Sequence, residues 1–297
     1  MSSIHTNDWN SDAADTLAHE MQDINEQLVL NSVRLQHIND ALTIEVARNR
    51  SIAEALQYSM LWQQPEKVFP GLRMAAFYEP AIPEALVGGD FFDAFALPDN
   101  SLMLVVGDVT GKGLQAAAHT VEVRFALRAF AQDYADPAKT LRRLNEFICD
   151  FHRDNDELAD DALVVLSLVL LSPSRAVALA ASAGAEWPLI FRASGIVEEI
   201  AAEGLILGID RNASYLSTSV SLDFGDTLVM TTDGITETRH GRDFYGYERL
   251  INIARQASLS ENLSDMGKSI MESAHSYSET ELSDDVCILL ARRDCAT

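Results

Sequence analysis

LMLVVGDVTGKG, residues 102–113, decides the reading of this chain. Its first half is a short apolar run rich in valine, which reads as a β-strand. The run stops at Gly107 and Asp108, and the glycines at 111 and 113 lead into a stretch with helical texture. An aspartate therefore stands at the end of an apolar strand, where a lone carboxylate is costly to desolvate.

The same arrangement recurs three times. VGGDFFD (87–93) places Asp90 and Asp93 at the start of a strand, after Gly88 and Gly89. LVMTTDGITE (228–237) ends a strand at Asp233, with Glu237 four residues on. SDDVCILL (283–290) opens the final strand with Asp284 and Asp285. A single strand-end Asp is ordinarily a turn or cap residue. Four such places, each beside a glycine or a second acid, point instead to a shared cation. Two carboxylates 4 Å apart repel by about 4 kcal/mol at an effective dielectric of 20. Hard oxygen donors from several strands are what Mg²⁺ or Mn²⁺ requires.

Around these motifs the chain divides in two. From Gly71 onward it reads as short β-rich runs: LRMAAFYEP, SLMLVVGDV, ALVVLSLVLL, RAVALAASAG, PLIFRA, DTLVMTTDG and finally DDVCILLAR. Helical blocks are expected at about 112–132, 137–152, 247–257 and 261–277. Strands grouped around helix pairs, without strict alternation, favour an α+β layered domain over a doubly wound sheet. Residues 13–58 contain no Pro or Gly and carry an apolar seam at alternating steps of three and four. One seam position holds Leu17, Ile24, Asn31, Ile38, Glu45 and Ile52; the other holds Met21, Leu28, Leu35, Leu42, Asn49 and Leu56. Nine of these twelve are apolar, which predicts a coiled coil and self-association, with Asn31 fixing register. The alternative is a long helix packed back on its own domain. The helical signal stops near Pro65 and Pro70. The expected organisation is a disordered 1–12, a coiled-coil or linker helix over 13–62, and a catalytic-type domain over 63–297.

Composition removes several classes. The 297 residues carry 22 Lys+Arg against 45 Asp+Glu, a net charge of −23, so a nucleic-acid partner is not expected. No apolar run approaches the roughly 20 residues of a membrane span; Leu163 to Leu171 covers nine. The opening MSSIHTNDWNSD lacks a basic start and an apolar core, so no secretory signal is expected. Cys149, Cys287 and Cys295 lack C-x-x-C spacing, which argues against a disulfide framework or zinc site and for a cytoplasmic setting.

Competing motifs fail on spacing. A phosphate-binding G-x-x-x-x-G-K-[ST] loop needs Gly at 106 and Ser or Thr at 113, where this chain has Val106 and Gly113. Gly111-Lys112-Gly113-x-x-Ala116 fits a dinucleotide-type turn, but a second helix follows where that fold needs a strand. DNDELADD (154–161) lacks the Gly and Glu of an EF-hand loop. No G-x-S-x-G elbow is present.

Taken jointly and in order, VGGDFFDAF, GDVTGKG, TTDGITE and SDDVCIL resemble the PPM-type metal-dependent Ser/Thr protein phosphatases, in their bacterial SpoIIE-type branch. YEPAIPEALVGGDFFD and GYERL add to the resemblance. It implies an αββα sandwich, two Mn²⁺ or Mg²⁺ ions, and hydrolysis of phosphoserine or phosphothreonine on a partner protein by a water shared between the metals. By position it implies Asp90, Asp108 and Asp233 as catalytic metal ligands, with Asp108 bridging. It also implies the Val109 carbonyl as a ligand, and Asp284, or alternatively Asp285, as the last. Lys112 is a candidate for the phosphate. By analogy the substrate is an anti-anti-sigma-type signalling protein, with a homodimer through 13–58 and an upstream regulator acting on that segment. The chain departs from the family pattern in three places. AGAEWP (183–188) lacks the His of AGH, DALVVLSLVLL replaces an F-x-T strand, and Cys287 stands for Thr in the closing motif. A weak or inactive relative serving as a coiled-coil scaffold is the alternative these departures keep open.

Overall fold

Strand alternation and helix periodicity turn these runs into four layers. The computed structural model describes residues 21, 27–28, 30–40, 43–44, 67–69, 71–81, 89–111, 113–154, 163–172, 174, 176–258, 260–278, 282 and 284–294. One sheet runs in the order β3 (Phe91–Ala96), β4 (Leu102–Val109), β5 (Val164–Ser172), β6 (Val177–Ala183) and β9 (Thr218–Ser221). The second has β1 (Lys67–Phe69), β2 (Leu72–Glu79), β13 (Val286–Arg293), β10 (Thr227–Thr231), β7 (Leu189–Phe191) and β8 (Val197–Glu199). A small hairpin pairs β11 (Arg239–His240) with β12 (Asp243–Phe244). All these ladders are antiparallel.

Successive strand residues face opposite ways, and β4 shows what that does here. Leu102, Leu104 and Val106 join an apolar core shared with Met74, Leu228, Met230 and Leu289 of the other sheet. Met103, Val105 and Val109 pack outward on helices α1 (Gly113–Asp133) and α2 (Pro137–Asp154). On the far side, Ala75, Val229, Ile288 and Leu290 pack on α4 (Gly246–Ala257) and α5 (Leu263–Tyr277). A single-turn helix, α3 (Asp233–Thr236), follows β10. The result is the αββα sandwich that the resemblance implies.

The helices follow local rules. Pro137 occupies the first turn of α2, where its missing N–H costs nothing, and Asp136 Oδ1 accepts from Lys139 N at 3.1 Å as a cap. Leu141, Leu144 and Ile148 then place its apolar stripe on β4 and β5. Asn262 caps α5 by accepting from Ser264 N at 2.8 Å. The structure adds β1, β8, β9, β11 and β12 to the expected strands. Each has two to four residues, too few for a legible period.

The chain divides into two units, 1–52 and 53–297. Within the first, 30–40 are helical and exposed, and the described seam residues Met21, Leu28, Asn31, Leu35 and Ile38 all lie at the surface. The remaining seam positions, the 1–12 segment, the boundary at 62–63, Lys112 and most of the acidic 154–161 run lie outside the described residues. Among the described residues no helix is long and apolar enough to cross a membrane.

Candidate metal centre

The acids meet because register and parity agree. Phe91 pairs with Gly107, so one step further along the ladder Asp90 comes opposite Asp108. Phe92 and Val106 face the inter-sheet core, and Asp90 and Asp108, each two residues away, share that face. In the second sheet the same count from Met230 brings Thr232 inward, and from Cys287 it brings Asp285 inward. Thr231 pairs with Ile288, which sets the β10 and β13 motif ends side by side.

Two glycines permit the close approach. A Cβ on Gly89 would lie 2.1 Å from the Val109 carbonyl oxygen and 2.4 Å from Asp108 Oδ1. A Cβ on Gly234 would lie 1.9 Å from the Asp285 carbonyl oxygen. Any side chain at either place would push the motif ends apart. Val109 N donates to the Gly89 carbonyl at 3.1 Å, which holds the first pair together.

The electrostatics record the crowding. Asp90 is buried, and burial first, then the charge of Asp108, raises its pKa well above the usual carboxylate range. Its bond from Thr232 opposes that rise, while Asp285 and Asp233 add to it. Asp108 is pushed up to about 6 by burial, then by Asp233, Asp284 and Asp285, against a hydrogen bond with Asp90 that lowers it. Asp233 keeps an exposed edge, yet lost solvation, then Glu237, Asp284 and Glu186, raise its pKa. Thr232 Oγ1 donates to Asp90 Oδ2 at 2.6 Å and accepts from Cys287 N at 2.9 Å. That backbone N–H occupies the hydroxyl's acceptor side, so its proton is left for the carboxylate.

A cavity of about 200 Å³ opens at this end of the sandwich, lined among others by Asp108, Thr232, Asp233, Glu186 and Glu237. Asp90, Asp284 and Asp285 are not part of that lining, and among the described residues no three His, Cys, Asp or Glu side chains are gathered as a ready ligand set. The chemistry of the carboxyls nonetheless fits a hard divalent cation. All are oxygen donors, and the burial and mutual repulsion that raise Asp90, Asp108 and Asp233 are relieved by a cation among them.

The last motif separates its two acids. Asp284 Oδ1 accepts from Asp285 N at 2.9 Å, and its charge acts on Asp108 and Asp233. Asp285 Oδ1 accepts from Ala81 N at 2.8 Å, and its charge acts on Asp90 and Asp108. Asp93 goes elsewhere. Three residues from Asp90, it lies on the opposite face of β3 and takes Arg128 Nε at 2.7 Å and Nη2 at 2.6 Å, with Arg124 Nη2 at 3.5 Å. It ties β3 to α1.

Sequence reading missed Glu186, Thr232 and Tyr247. Thr232 was legible from its parity with Met230. Glu186 and Tyr247 were not, because their meeting depends on how the loop after β6 lies against α4. Glu186 Oε1 accepts from Thr236 Oγ1 at 2.6 Å, and Oε2 accepts from the Tyr247 hydroxyl.

Several known proteins resemble this chain in sequence and fold. Protein IcfG of Synechocystis sp. is 28% identical over 198 residues, covering 59% of this chain and 31% of that protein. The phosphoserine phosphatase RsbU of Bacillus subtilis is 23% identical over 214 residues, covering 72% of this chain and 62% of its own length. The chain thus spans less than two thirds of either relative. The crystal structure of the RsbU and RsbW domains of Rv1364c from Mycobacterium tuberculosis superposes with a TM-score of 0.68 at 26% identity, covering 80% of this chain and 65% of that one. The family model of stage II sporulation protein E (SpoIIE) matches residues 98–294. That match runs from just before β4 to the end of β13 and includes Asp108, Asp233, Asp284 and Asp285, and over this span, well more than half its length, the chain belongs to the SpoIIE family.

Proposed function

We propose that this protein is a metal-dependent phosphatase that hydrolyses phosphoserine or phosphothreonine on a bacterial signalling protein. The observation that carries the reading is the acid-lined cavity at the sheet ends, where Asp108 and Asp233 line the wall and carboxyls from four separate segments act on one another. Asp90, Asp108, the Val109 carbonyl, Asp233 and one of Asp284 or Asp285 would hold two Mn²⁺ or Mg²⁺ ions, with Asp108 shared. Such ions, when bound, supply a water of lowered pKa and offset charge on the phosphoryl oxygens. The protein's part is to hold the carboxylates in place, through Thr232 for Asp90 and the glycine contacts for Asp108, and to keep apolar residues beneath them. No nucleophilic side chain is required, in keeping with the absent G-x-S-x-G elbow.

Kinship with RsbU, a phosphoserine phosphatase, supports the reaction class. By the same analogy the substrate is an anti-anti-sigma-type domain, the enzyme works in the cytoplasm, and residues 13–58 form a homodimer on which a regulator acts. The test is p-nitrophenyl phosphate hydrolysis by the purified chain with Mn²⁺, with Mg²⁺ and with EDTA. Turnover that needs the metal and is lost in Asp108→Asn is the expected result. A folded chain that binds Mn²⁺ and turns nothing over, alone or as a dimer, would favour the scaffold reading.

A further inference from the structure

Glu186 directly follows Ala183-Gly184-Ala185, where Ala185 takes the place of the His in the family's AGH, and it precedes Trp187-Pro188. It lines the same cavity as Asp108 and Asp233. A glutamate at a loop would ordinarily sample many rotamers, but this one is tethered at both oxygens. Thr236, three residues beyond Asp233 on α3, donates to Oε1 at 2.6 Å. Tyr247, in the first turn of α4, donates to Oε2. The Tyr247 hydroxyl accepts from Trp187 N at 3.2 Å, so its own proton is left for Glu186. Both donors are neutral, so the tethers fix the position of the charge without cancelling it. A carboxylate offers about four acceptor sites, and these hydroxyls use two.

We propose that Glu186 is a positioning residue for the cation cavity. It is a fixed anion on the wall, held by Tyr247 and Thr236, that strengthens divalent-cation binding at the Asp233 end and takes hydrogen bonds from the cation's water shell. This inference rests on the metal-centre reading above. Charges just outside a ligand set tune the metal this way, and their loss commonly weakens binding by about 10- to 100-fold. The negative field of Glu186 and Glu237 at Asp233 agrees with this role.

The experiment is calorimetric titration of the full chain with MnCl₂, supported by water-proton relaxation, with no substrate present. Glu186→Gln keeps the size and removes the charge; its amide oxygen can still accept from one hydroxyl, while its amide nitrogen donates to the other. The expected result is Mn²⁺ binding weakened by about tenfold, with the Mn²⁺ concentration for half-maximal turnover rising in step and the rate at saturating Mn²⁺ changed less. Tyr247→Phe keeps the charge and frees one tether, and a smaller loss, about twofold, is expected there. A purely structural role would leave Glu186→Gln with wild-type affinity, and that outcome overturns the proposal. Should Glu186→Gln fail to fold, Tyr247→Phe and Thr236→Val carry the test, and unchanged affinity in both overturns it equally. Asp108→Asn separates the levels. Lost binding in that variant beside normal binding in Glu186→Gln removes this inference alone, whereas normal binding in Asp108→Asn removes the metal-centre reading beneath it.

Discussion

Thr232 and Asp90 join the two sheets: 142 residues apart in sequence, they meet through a 2.6 Å hydrogen bond from Oγ1 to Oδ2. Thr232 continues β10 of one sheet, and Asp90 leads into β3 of the other. The contact is buried, and the same hydroxyl accepts the Cys287 N–H.

Thr232→Val keeps the shape and removes the hydroxyl. It leaves a buried carboxyl and a buried N–H without this partner, so a loss of about 2–3 kcal/mol in unfolding free energy is expected. Thr232→Ser should recover most of it. Urea unfolding of the metal-free chain checks both, and equal midpoints for Val and wild type would contradict the role given to the bond.

Asp108→Asn and Asp233→Asn are expected to lower metal-dependent phosphate release by at least about 100-fold while keeping the native circular dichroism. Activity retained in both variants would remove them from the site.

The metal-free protein should lose stability as pH rises. Asp108 moves from an ordinary 3.8 to about 6 on folding. Between those values the folded state holds a proton that the unfolded state has released. Stability therefore falls from about pH 4 to about pH 6 and levels off above, by up to about 3 kcal/mol from this group. Asp90 and Asp233, raised in the same direction, add to the loss as pH rises. Saturating Mn²⁺ should abolish it, because the cation replaces the proton. Melting temperatures from pH 4 to pH 8, with EDTA and with Mn²⁺, give the comparison; a metal-free protein that gains stability over this range would refute the assignment.

Asp93→Asn tests the other face of β3. The carboxylate holds Arg128 through two bonds and Arg124 at 3.5 Å. Arg128 is nearly half exposed, so part of its charge returns to water, and a cost of about 2 kcal/mol is expected. The readout is the urea midpoint, with Mn²⁺ affinity close to wild type.

Deleting residues 1–58 is expected to yield a monomer with altered activity, as judged by sedimentation. An unchanged dimer would take self-association away from this segment.

The sequence placed the strands and four main helices within a few residues. Their periods are local: β4 reads as an apolar run because both faces are covered, and α2 shows its stripe at Leu141, Leu144 and Ile148. The aspartates were legible for the same reason, since a charge at the end of an apolar run stands out. Asp93 looked like the others because spacing along one strand shows that a residue is acidic, not which layer it meets.

By itself, then, the sequence determined where each strand ends in an acid and which neighbours are glycines, because local alternation and turn chemistry are written residue by residue. Only the tertiary structure decided which acids share a cavity, that Asp284 reaches Asp233 and Asp285 reaches Asp90 while both act on Asp108, and that Glu186 is tethered by Tyr247, 61 residues away. Those outcomes depend on ladder register and on how two sheets stack. Both are set by the summed packing of the inter-sheet core, which no single motif contains.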